Sequence, residues 1–191
     1  KTHTHEVSVE NLTASPMPLR ATLNDFITSG EEGGYIFEDS KTNPLLSWIT
    51  LNENEFLLNP KEKKTLLLTI NTPKSIPVGG YYGVLFFEPV LMNASTETTK
   101  VSAKVGVLML ANIGVPDPNA KRAEILDFTM PFWNNETPVP LLLRVKNTAL
   151  NFFSAKPTII VTPLIPIAQS KQLPLEEKII FPGSVRRWTE D

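Results

Sequence analysis

Residues 79–89 read Gly79-Gly80-Tyr81-Tyr82-Gly83-Val84-Leu85-Phe86-Phe87-Glu88-Pro89, and the role of their glycines decides the fold. A phosphate-cradling loop places its glycines after a strand and before a helix, with a Lys and a Ser/Thr at fixed spacing. Here the glycines precede an apolar strand-like run and no such partners follow. The remaining reading is a structural corner, in which a tyrosine just inside a sandwich strand hydrogen-bonds back to the preceding loop. Pro77 fixes the approach, and Gly79 and Gly80 are expected to let the backbone turn sharply. Of the two tyrosines, Tyr82 is the expected corner residue, because it shares a strand face with Val84 and Phe86.

The same alternation runs through the chain. Val, Ile, Thr, Phe and Tyr fill the apolar positions at a spacing of two, the strand signature. Strands are expected near 5–13, 17–27, 34–38, 45–51, 55–58, 63–71, 80–88 and 99–114. After a break they resume near 123–129, 139–147, 156–163, 171–180 and 185–190. Turn residues punctuate this series, among them Ser29 to Gly34, Asn59-Pro60-Lys61-Glu62 and Asn71-Thr72-Pro73. Proline supplies 17 of the 191 residues, nearly twice the usual ~5%, which argues for many short elements and against long helices.

The break at Pro116-Asp117-Pro118-Asn119-Ala120-Lys121 is the best linker in the chain. It divides the sequence into 1–115, a linker 116–121, and 122–191. A weak internal echo joins the halves: Val9-Glu10-Asn11-Leu12-Thr13 is matched by Val145-Lys146-Asn147-Thr148, and Leu58-Asn59-Pro60-Lys61 by Phe181-Pro182-Gly183-Ser184. The fold class expected is therefore all-β, with two tandem immunoglobulin-like β-sandwiches. About 70 residues remain for the second, against the ~100 usual for this fold, so it is expected to be incomplete. An incomplete sandwich exposes inner-face residues and an unpaired strand edge, which predicts self-association or strand capture.

Composition removes several function classes. Eighteen basic and 20 acidic residues give a net charge of -2, without the basic stripe that a nucleic acid demands. There is no cysteine, hence no disulfide, zinc thiolate or thiol nucleophile. The longest apolar stretch, Val105 to Val115, falls short of the ~20 residues of a membrane helix. The chain enters strand-like alternation directly at its start, which reads as a processed or trimmed end.

No catalytic constellation emerges. His3 and His5 share a strand face, but no third ligand accompanies them, so no metal or cofactor is expected. The acidic pairs Glu31-Glu32, Glu53/Glu55 and Glu176-Glu177 sit in turns or at strand ends, where solvated charge is the norm. Trp48, among apolar neighbours, reads as core. Trp133, with Phe132 and Asn134, sits at a loop or hairpin tip and is the candidate partner contact.

The order V-x-N-x-T (Val9 to Thr13), L-S-W-I (Leu46 to Ile49), F-x-L-x-P-x-E-x-K (Phe56 to Lys64), P-x-G-G-Y-Y (Pro77 to Tyr82), F-x-x-P-F (Phe128 to Phe132) and P-G-S-x-R (Pro182 to Arg186) resembles bacterial surface proteins with two immunoglobulin-like domains. It is similar to exported proteins of this kind that lack a described function, and more distantly to the WxL-interacting cell-surface proteins. The resemblance implies an exported, extracellular protein anchored through segments outside 1–191. The expected function is a non-enzymatic surface or adhesion module that presents loops or sheet edges to a protein or a cell-wall glycan. Two alternatives stand beside it: a carbohydrate-binding accessory domain of a wall-active enzyme, and a periplasmic chaperone that lends a strand. The chaperone needs an exposed basic cleft, for which Lys121 and Arg122 are the linker-adjacent support.

Overall fold

The computed structural model describes residues 1–38, 43–90, 103–114, 122–131, 139–162 and 169–190. The chain folds as two compact units. The first takes Lys1–Ile27, Phe37–Pro77 and Tyr81–Ala111; the second takes Thr28–Ile36, Val78–Gly80 and Asn112–Asp191. The interdomain linker expected at 116–121 lies outside the described residues.

The elements follow the alternation. In order they are β1 (Thr2–Glu10), β2 (Met17–Ser29), β3 (Gly34–Glu38), α1 (Pro44–Trp48), β4 (Ile49–Leu51), β5 (Glu55–Leu58), β6 (Lys63–Asn71), β7 (Gly79–Pro89) and β8 (Val105–Ile113). Then come β9 (Ala123–Thr129), β10 (Leu141–Asn147), β11 (Phe153–Ala155), β12 (Thr158–Val161), β13 (Lys171–Pro174), β14 (Lys178–Ile180) and β15 (Val185–Glu190). The single described helix, α1, occupies part of the strand expected at 45–51. Asn43 caps it, its side chain accepting from Leu45 N at 3.1 Å, and Pro44 stands at the first helical position. Both residues favour a helix start, and one turn satisfies them before the chain returns to strand at Ile49. The strand expected over 171–180 is interrupted at Leu175, which turns into the core and donates its N–H to Pro157 O at 2.9 Å.

Two antiparallel layers build the first unit. One sheet has the order β1-β6-β4; the other is five-stranded in the order β3-β2-β7-β8, with β5 also paired to β2. One inner face from each layer closes a common core. Leu66 and Leu68 of β6 meet Leu19 and Ala21 of β2, Phe56 and Leu58 of β5, and Leu85 and Phe87 of β7, with Trp48 and Leu45 from α1. Full burial of each such side chain contributes about 1.5–3 kcal/mol. Trp48 is core, as expected, its ring 5.0 Å from that of Tyr81.

β7 is covered on both faces. Odd positions from Tyr81 to Phe87 face the sandwich core. Even positions form a second apolar layer with Phe26 and Phe37, in which Phe26 lies 5.0 Å from Tyr82 and Phe37 lies 4.9 Å from Phe86. The bond back to the loop, expected of Tyr82, is made by Tyr81, whose hydroxyl donates to Pro77 O at 2.9 Å. Nor do Gly79 and Gly80 turn the chain: both lie within β7, and neither has a positive φ. Gly80 is needed for close approach, since a Cβ there would stand 3.0 Å from the Phe152 ring.

In the second unit a three-stranded sheet, β15-β10-β9, is accompanied by the pairs β11-β14 and β12-β13. Its core joins Leu141, Leu143 and Val145 of β10 to Trp188 of β15, Ile180 and Leu175. Trp188 also donates its indole N–H to Glu176 O at 2.7 Å, as a buried indole must.

Candidate functional site: the free edge at β8

β8 ends its sheet, paired to β7 on one side and to no strand among the described residues on the other. A strand in that position carries a row of unpaired N–H and C=O groups. Side chains of β8 alternate across the sheet. Met109 and Ala111 pack on the first unit's core, which assigns the odd positions to the inner face. Val105 and Val107 share that face, yet they are 66% and 42% exposed. The sandwich is thus closed at one end of β8 and open at the other.

On the opposite face Leu108 is also exposed. Lys104, just ahead of the strand, pairs with Glu88 at 2.9 Å and reaches over the Phe86 ring. The open segment therefore offers two alternating valines, free backbone groups and one cation already held by a carboxylate. That is a surface for an extended apolar segment rather than for a charged ligand.

The other candidates take different places. Phe132, Trp133 and Asn134 lie outside the described residues, as does Lys121. Arg122 accepts at its backbone carbonyl from Thr148 N at 3.0 Å. His3 and His5 project from one face of β1, opposite Ile70 and Leu68 of β6, and both are exposed. Each acidic pair is engaged by neighbours. Glu53 meets Lys64 at 2.6 Å, Glu55 meets Arg20 at 2.7 Å and Glu32 meets Arg187 at 2.5 Å. Glu177 accepts from Ser154, and Lys178 stands 3.9 Å from Glu176. Glu31 receives two hydrogen bonds from Arg144, one of 2.8 Å to Oε2, which hold its carboxyl below the usual range.

Sequence reasoning does not single out the β8 edge. The stretch 105–115 draws notice there only as an apolar run too short to span a membrane. The signal that could have found the edge is the presence of apolar residues on both faces of the final strand before a linker. Among the described residues no helix is long and apolar enough to cross a membrane.

No protein-family model and no curated protein matches the chain. The likeness to WxL-interacting proteins therefore has no support from sequence comparison. Solved structures do match. One is the class 5 fimbriae chaperone CfaA, with a TM-score of 0.54 at 12% identity over 96% of this chain and 77% of that one. The fold resembles that of fimbrial chaperones. A chain of the chaperone–tip adhesin complex of CFA/I fimbriae biogenesis matches at TM-score 0.53 and 12% identity, over 97% of this chain and 78% of its own. The E. coli chaperone DraB matches at 0.51 and 13%, over 98% and 78%.

Proposed function

We propose that the protein is an exported chaperone-type binding protein, in which β8 pairs with an extended segment of a partner protein. One observation carries the reading: Val105 and Val107 sit on the inner face of a sheet-end strand and remain open to solvent. A segment that adds as a further strand would satisfy the free backbone groups and place its own alternating apolar side chains beside these valines. The shared fold with fimbrial chaperones, one of them named in a complex with a tip adhesin, supports this reading over a surface or glycan-binding module.

The test uses synthetic peptides with apolar residues at alternate positions, titrated by fluorescence anisotropy. Val105→Lys with Val107→Lys is expected to weaken binding about tenfold or more, since each buried valine contributes on the order of 1.5 kcal/mol. Backbone N-methylation of the peptide on its pairing edge should also weaken it. Unchanged affinity in both arms sinks the reading.

A separate feature supports self-association through the second unit. Phe128 and Ile125 of β9 stand opposite Leu143 and Val145, whose side chains are buried in the second core, so they share the inner face. They are nevertheless 51% and 66% exposed. Sedimentation that stays monomeric at all concentrations, and does not change with Phe128→Lys, removes this part.

A further inference from the structure

Arg186 lies on β15 two residues before Trp188, so alternation turns both side chains to the same face. Trp188 is core, and Arg186 is only 2% exposed. A charge at that depth ordinarily has a carboxylate partner. Among the described residues Arg186 has none. Its Nε donates to Ile179 O at 3.0 Å and its Nη1 to Val185 O at 3.2 Å. Its Nη2 is buried with no hydrogen-bond partner. The carboxylates of the neighbouring turn are committed elsewhere: Glu31 to Arg144, and Glu32 to Arg187.

Arg186 lines a recess of about 270 Å³ within the second unit, bounded also by Tyr35, Ile179, Lys178, Glu176 and Glu32. Ile179 gives apolar wall, while the Tyr35 hydroxyl is a polar neighbour of the Arg186 guanidinium and its ring is wedged edge-on against Phe181 with centroids 6.2 Å apart. Burial lowers the guanidinium pKa from its usual value, with the nearby Tyr35 acting in the opposite direction. The guanidinium is thus cut off from water at Nη2 with no acceptor among the described residues in its place.

We propose that this recess is a binding site for a small carboxylate, one oxygen of which accepts from Arg186 Nη2. The ligand should be a monoanion. Glu32 and Glu176 stand on the rim with Lys178, so a single negative charge neutralises Arg186, whereas a doubly charged phosphate or sulfate meets two carboxylates. The unpaired N–H of one guanidinium nitrogen suits a planar pair of acceptor oxygens. The site owes nothing to the β8 edge, and its failure would leave that reading untouched.

The test is acetate binding to the intact chain at neutral pH, by isothermal titration, with sodium chloride, sulfate and phosphate at matched ionic strength as parallel arms. Acetate is expected to bind saturably at one site and to raise the unfolding temperature, while the other salts do not. Arg186→Gln should weaken acetate by about tenfold, the loss of one charge-assisted hydrogen bond. That variant could unfold, so the arginine side-chain N–H signals of the unaltered protein are followed by NMR as acetate is added. A saturable shift of the Arg186 Nη2 signal supports the site. Equal responses to chloride, preference for sulfate or phosphate, or an unmoved Arg186 signal overturns it.

Discussion

Asn11 in the first unit and Asn147 in the second do the same job with different neighbours. Asn11 Nδ2 donates to the carbonyls of Ser15 (2.8 Å), Leu58 (3.1 Å) and Asn59 (3.2 Å), and its Oδ1 accepts from Thr13 N at 3.0 Å. Asn147 Nδ2 donates to Asn151 O at 2.8 Å and Ile180 O at 2.9 Å, and its Oδ1 accepts from Ala149 N at 2.7 Å. Their backbones match as well. Asn11 N donates to Glu62 O and its O accepts from Lys61 N; Asn147 N donates to Ser184 O and its O accepts from Gly183 N. The sequence echo is thereby placed in register on its prolines, with Leu58 equivalent to Ile180 and Pro60 to Pro182.

The two turns share only their proline, and the difference that bears on the backbone is at the third position. The turn needs a left-handed backbone at its third position, and the second unit uses Gly183 (φ 73°) where the first uses Lys61 (φ 62°). A non-glycine residue there costs on the order of 1 kcal/mol. Lys61 offsets part of this by donating its Nζ to Leu12 O at 2.6 Å. One turn is built from backbone freedom and the other from a side-chain tether, so the same geometry does not require the same sequence.

The largest effect expected from this comparison is at the asparagines. Asn11→Ala and Asn147→Ala each strand several carbonyls beside a residue that is 2% or 0% exposed, and each should cost about 2–4 kcal/mol. Urea unfolding monitored by amide exchange should show each loss first in its own unit. Equal loss in both units from either change would break the comparison.

Gly183→Ala comes next. A Cβ at that position meets no atom within 4 Å, so the loss of about 1 kcal/mol comes from backbone conformation alone. Denaturation midpoints with an unchanged slope would check this.

Lys61→Gly should move stability by no more than about 0.5 kcal/mol, because relief of the left-handed strain balances the lost tether and the freer unfolded chain. Lys61→Ala keeps the strain and loses the tether, so it should be the worse of the pair. The reverse order in thermal unfolding would show that the tether does not matter.

The smallest effect is with pH. The Arg144 hydrogen bonds lower the folded pKa of Glu31, with burial opposing them and Arg187 assisting. A depressed carboxyl contributes stability above its unfolded pKa, ordinarily ~4.3, and loses it as pH falls through the lower folded value. Glu31→Gln should therefore be less stable than the unaltered chain near neutrality and converge with it in acid. A gap independent of pH would assign the effect to packing instead.

Strand positions are legible in the sequence because period-two alternation reports burial of one face directly, and nearly every expected strand has its counterpart. Where both faces are covered the signal fails. β7 is apolar at every position from Val84 to Phe87, so nothing in it distinguishes the core-facing Tyr81 from Tyr82. Asn43-Pro44 marks a helix start, but the apolar residues after it suit a buried strand equally well. Of the sites, the β8 edge depends on which strand ends a sheet, a property of topology whose local trace is the apolar residues on both faces of that strand. Arg186 is closer to reach, since its two-residue spacing from Trp188 already places a cation on the inner face.

The pairing of β1 with β6 also constrains the order in which the chain folds. Thr2 pairs with Asn71 and Glu10 with Lys63, and Lys1 is tied in too, its amino group donating to Thr72 O at 3.1 Å. Among the described residues the first strand thus has no strand partner until residues 63–71 are in place, and the entropy of closing so long a loop is lost before its first ladder bond forms. Folding of this layer should be slow compared with the adjacent β2–β3 hairpin, with Val7 and Val9 waiting uncovered. During synthesis that interval is when the chain is most open to wrong pairing.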